Sequence, residues 1–112
     1  MTDASTIAEI IETYQKYGWM LRRVLLTKAL ARKLHEGTNT LFGDVAIMDS
    51  VIDAAWFSRP PKNGGVTWEI RYLGDFPFAL LEKVDEIDPE FENILGGVEL
   101  RLCEAVSAKT SA

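Results

Sequence analysis

The recognition chemistry this chain offers is carried by arginine and tryptophan. Residues 54–74, AAWFSRPPKNGGVTWEIRYLG, place two tryptophans and two arginines within 21 residues, and Arg22-Arg23 lie close behind a third tryptophan, Trp19. A guanidinium presents a rigid fork of N–H donors that grips a carboxylate or phosphate with two parallel bonds. Aromatic rings beside such groups are also how sheet surfaces stack nucleobases or other flat ligands. Arg59 is the best placed of these residues, at the end of a strand-forming run and directly before Pro60-Pro61. The candidate ligand- or partner-binding residues are Trp56, Phe57, Arg59, Arg71, Arg22 and Arg23.

Other chemistries find less support. His35 and Cys103 are the only histidine and cysteine, and they lie far apart without metal-ligand spacing. KNGGVT lacks the spacing of a phosphate-binding loop and precedes a strand pattern rather than a helix, so it reads as a hairpin connector with Asn63-Gly64 at its turn. Asp85, Glu86, Asp88, Glu90 and Glu92 gather before and within the first turn of a helical pattern, where carboxylates favour the positive end of the helix dipole. Asp53, in line with Val51, Ala55 and Phe57, is expected to be partly buried or at a sheet edge. The sequence therefore assigns no catalytic residue, no metal site and no cofactor.

Net charge is −5, which argues against a nucleic-acid partner because such affinity rests on neutralised phosphates. The charge is polarised along the chain. Residues 16–33 hold six basic side chains and no acidic one, whereas residues 82–104 hold eight acidic side chains against Lys83 and Arg101. These stretches can pair within one chain or across a symmetric interface. No apolar run approaches the ~20 residues of a membrane span, and the N-terminal residues lack a signal-peptide pattern. A lone cysteine fits a reducing compartment, and a cytoplasmic location follows as the expectation.

The positioning elements follow from periodicity. Residues 6–17 predict a helix opened by a Thr6–Glu9 capping box, with Ile7, Ile10, Ile11, Tyr14 and Tyr17 on one face and Gly18 at its end. Residues 19–26 read as a strand, although a continued helix would also align Tyr17, Leu21 and Leu25; the glycine and the β-forming residues favour the strand. Thr27 caps a short helix that Gly37 ends, and 38–50 reads as loop with a short extended piece. Residues 51–58, 66–73 and 78–84 form a meander of strands. In the second of these, Val66, Trp68, Ile70 and Tyr72 face the core, and Thr67, Glu69, Arg71 and Leu73 face outward. Asp88-Pro89 opens a last helix, apolar through Phe91, Leu95, Val98 and Leu102 to about residue 106, and 107–112 reads as a frayed tail.

The expected fold is one α+β domain over residues 1–112. It has two layers: an antiparallel sheet of three to four strands, covered on one face by the N-terminal and C-terminal helices. Trp56 and Phe57 must lie on opposite faces, so one large aromatic is left half-exposed, which suits a dimer interface. The leading functional expectation is a non-enzymatic interaction domain that forms a homodimer. The alternatives are a protein that binds a small carboxylate or phosphate ligand through arginine and tryptophan, and, on fold-level analogy alone, a chaperone of one partner protein.

Overall fold

The computed structural model describes residues 3–60 and 65–110. Helix α1 spans Ala4–Lys16, and it is Asp3 that caps it, its carboxylate accepting from the Thr6 N–H at 2.8 Å. The helix thus begins before the expected Thr6–Glu9 box. Gly18 takes φ 88°, a left-handed conformation that favours glycine, and the chain turns there into strand β1, Met20–Leu26. Thr27 caps α2 (Lys28–Leu34) as expected, its hydroxyl accepting from the Leu30 N–H.

Past a short 3₁₀ turn at His35–Gly37, the expected loop contains α3 (Thr38–Phe42) and strand β2 (Ala46–Asp49). Strands β3 (Ala54–Arg59), β4 (Thr67–Tyr72) and β5 (Ala79–Lys83) fall inside the three expected meander strands, to within one residue at the end of β3. The Asn63-Gly64 turn between β3 and β4 lies outside the described residues. Helix α4 runs from Phe91 to Thr110, past the expected end near residue 106.

The sheet order is β2-β1-β3-β4-β5. The meander β3-β4-β5 and the β1–β3 pair are antiparallel, but β2 pairs with β1 in parallel. The sheet is therefore five-stranded and mixed, where three to four antiparallel strands were expected. A parallel return needs a long crossover, and α2 with α3 supplies it.

The layer count also differs from expectation. Ala54 and Trp56 pack with Phe91, Leu95, Val98 and Leu102 of α4, while Ala55 and Phe57 pack with Ile7 and Ile11 of α1, Leu30 and Leu34 of α2, and Phe42 of α3. The terminal helices lie on opposite faces and the domain has three layers. Residues 54–58 are all buried, as in a strand enclosed from both sides. The α1-side layer stops short, however. On that side of β5, Ala79, Leu81 and Lys83 are exposed, Leu81 at 60%.

Candidate recognition site

The two adjacent arginines of β1 point the same way because of a bulge. The β1–β3 register steps from Leu21↔Phe57 to Arg23↔Trp56, leaving Arg22 as the extra residue. A bulge sets two neighbouring side chains against one partner residue and re-aims them. Both then reach the α4 side of the sheet. Arg22 lies 4.8 Å over the Trp68 ring, donates to Ser58 Oγ at 3.0 Å and pairs with Glu86 at 2.9 Å. Arg23 binds both Glu92 oxygens, at 2.8 and 2.6 Å, and lies 5.6 Å from the centre of the Phe91 ring. The hydrogen-bonded Arg23 holds the Glu92 carboxyl below its ordinary range. Both arginine forks are thus engaged by acidic residues of the same chain, at the approach to α4 and in its first turn. The charge polarity of the sequence is answered, in this part, within one chain.

Trp56 and Phe57 do lie on opposite faces, but both are fully buried, because each face carries its own helices. Trp56 donates from Nε1 to Glu99 at 2.7 Å and meets Trp68 edge-on. Trp68 in turn meets Phe91 edge-on, and its own Nε1 finds no partner among the described residues. Phe57 stacks flat on Tyr14, ring centres 4.1 Å apart. Neither ring reaches a ligand from these positions.

The remaining two candidates, Arg59 and Arg71, face the α1 side. The Arg59 guanidinium lies 4.9 Å over Trp19 and forms no ion pair among the described residues. It lines a cavity of about 390 Å³ with Thr13, Tyr14, Tyr17, Trp19 and Glu69. Glu69 stands opposite Phe57 on β4, two rungs from the Arg59↔Thr67 pair and so on the same face. Burial, and then the hydrogen-bonding Glu69 carboxylate, push the Tyr14 phenol well above its ordinary value. Arg71 donates to the Tyr72 carbonyl and lines an adjoining cavity of about 430 Å³, which also reaches Tyr14.

The six candidates therefore divide by face, with Trp56, Arg22 and Arg23 towards α4 and Phe57, Arg59 and Arg71 towards α1. Tyr14, Tyr17 and Glu69 join the site without having been singled out. For the tyrosines the signal in the sequence was the aromatic run around Gly18, which the helical periodicity assigned to the core; for Glu69 it was its outward place on the alternating strand 66–73.

Among the described residues no group of three or more histidine, cysteine or carboxylate side chains is placed to hold a metal ion, and no helix is long and apolar enough to cross a membrane. Fold and site together describe an α+β protein with a mixed five-stranded sheet, an aromatic-walled cleft carrying both charge signs, and a bare stretch of sheet beside it. No protein-family model matches the chain, and no curated protein or solved structure matches it.

Proposed function

We propose that the protein is a non-enzymatic interaction domain of the cytoplasm that forms a homodimer through the outer edge of β5. The observation that carries this reading is an unpaired edge strand with an exposed leucine at its centre. Among the described residues nothing pairs with the outer side of β5, and Leu81 is its middle residue.

The ladder indicates which groups are free. The Tyr72 N–H donates to Phe78 and the Val84 N–H to Val66, so even-numbered residues from 78 to 84 turn their backbone groups towards β4. Alternation then directs the N–H and C=O groups of Ala79, Leu81 and Lys83 outward, where the Lys83 N–H meets the Glu82 carboxylate at 3.1 Å. Such an edge is a template for another strand. A second copy related by a two-fold axis at Leu81 would pair Leu81 with Leu81, and Ala79 with Lys83. The leucines would meet on the bare face, and like charges would not stand directly opposite. Homodimers most often use this kind of self-complementary contact.

The other edge, β2, is shorter and ends at Asp49, a charged residue of the kind that discourages edge pairing. Light scattering on a sizing column tests the proposal. The protein should elute with the mass of two chains at micromolar concentration, and Leu81→Lys should elute as one chain with unchanged circular dichroism. A single-chain mass for the unmodified protein would refute it.

A further inference from the structure

We infer that the cleft between α1 and β4 binds a free α-amino acid with an apolar side chain, Arg59 taking its carboxylate and Glu69 its ammonium group. Two opposite charges line one cavity and yet do not pair with each other. Arg59 lies over the Trp19 ring, and Glu69 lines the same cavity beside Tyr14. On an antiparallel ladder such diagonal neighbours sit roughly 7–8 Å apart at the backbone. That spacing leaves room for a ligand that brings a charge to each of them.

A free amino acid carries both charges on one carbon, so it can satisfy the two groups together. Arg59, over the Trp19 ring and in no ion pair among the described residues, can offer its N–H donors to a carboxylate as two parallel bonds. The rest of the cleft suits an apolar side chain. Tyr17 is exposed at 66%, Trp19 is half-buried, and both line the cleft. The volume of about 390 Å³ falls within the usual range of small-molecule sites, roughly 300–1,000 Å³. A phosphate would meet repulsion from Glu69, and a polypeptide terminus would offer only one of the two charges. Glu69 is the cross-strand neighbour of Leu81, but no residue of β5 lines the cleft, so one chain supplies the whole site.

Tryptophan fluorescence tests the inference directly. Trp56 and Trp68 are 0% and 1% exposed, so a ligand-dependent change reports Trp19. On the unmodified protein, L-leucine should give a saturable change. Leucinamide, N-acetyl-leucine and inorganic phosphate should each bind at least about ten-fold more weakly, as expected when a charge-assisted contact is lost. Arg59→Gln should weaken leucine to a similar degree, and Glu69→Gln should erase the preference of leucine over N-acetyl-leucine.

The ligand series decides the matter by itself if a variant folds poorly. Equal binding of leucine and N-acetyl-leucine would make the cleft a reader of carboxyl termini and overturn the inference. Tighter binding of phosphate, or no saturable response to leucine, would overturn it as well. The measurement reads ligand binding whatever the mass in solution, so its failure and that of the dimer are told apart.

Discussion

Replacing Glu99 by alanine removes the acceptor that the Trp56 indole N–H has among the described residues, a bond of 2.7 Å from a side chain, that of Trp56, with no solvent exposure. Trp56 is fully buried and Glu99 half-buried, so the orphaned donor is left at a site only partly open to water. A buried donor left unpaired costs about 1–3 kcal/mol. For a domain of this length that corresponds to a fall in Tm of roughly 4–12 °C. Alanine is the better helix former, so local propensity works against the predicted loss and does not explain it. Glu99→Gln keeps a neutral oxygen acceptor, which is about half as strong as a charged one. The predicted order of stability is wild type, then Glu99→Gln, then Glu99→Ala, read by far-ultraviolet circular dichroism in thermal and urea unfolding. If Glu99→Ala unfolds within about 0.5 kcal/mol of wild type, the range of a neutral surface change, the Trp56–Glu99 bond does not hold α4 to the sheet and the reasoning fails. The same holds if the glutamine variant is as unstable as the alanine variant.

Three further outcomes follow from particular contacts. Because the Glu92 carboxyl sits below its ordinary range, the stability it contributes is present above that range and is lost as pH falls through the lowered value. Glu92 is mostly exposed, so the loss is limited to about 1 kcal/mol, and Arg23→Gln should flatten this part of the urea-midpoint profile in acid. Asp53→Ala removes bonds of 2.7 and 3.0 Å to the Thr27 N–H and hydroxyl, and should cost about 1–3 kcal/mol in urea unfolding, with Asp53→Asn costing less. Burial, and then the nearby Glu99 charge, raise the Cys103 thiol above its ordinary value. At mildly alkaline pH Cys103 should therefore react with a thiol reagent several-fold more slowly than free glutathione; a rate equal to glutathione's would contradict this.

The strand β4 was legible because its two sides meet different surroundings: Trp68 and Ile70 enter the α4 layer, while Thr67, Glu69 and Arg71 border the bare side. The third layer was harder to read. Its sign was the unbroken apolar run from Ala54 to Phe57, which a strand covered on one face does not need. Once the sheet is enclosed twice, the half-exposed aromatic expected at residues 56–57 disappears. Strand β2 and helix α3 are four and five residues long, too short for periodicity to reveal, and β2 is fixed by its pairing with β1 rather than by its own sequence.

The candidate site was legible in part. Arg59 stood out by its place before the prolines, but its partners come from α1 and the Gly18 turn, far away in the chain. Arg22 and Arg23 were legible as charge and not as geometry. Only the bulge opposite Trp56 aims both of them at the acidic residues around the start of α4.

The dimer reading is tested most directly by hydrogen exchange at the Leu81 amide, followed residue by residue as the protein is diluted. Leu81 lies in a strand whose even-numbered neighbours already bond to β4, so its own N–H faces outward, to water in a single chain and to a second chain in the proposed dimer. Pairing across the β5 edge predicts strong protection of Ala79 and Leu81 in concentrated solution, with protection falling on dilution while the β3 amides stay protected. Fast exchange at Leu81 at every concentration would contradict a dimer built on this edge.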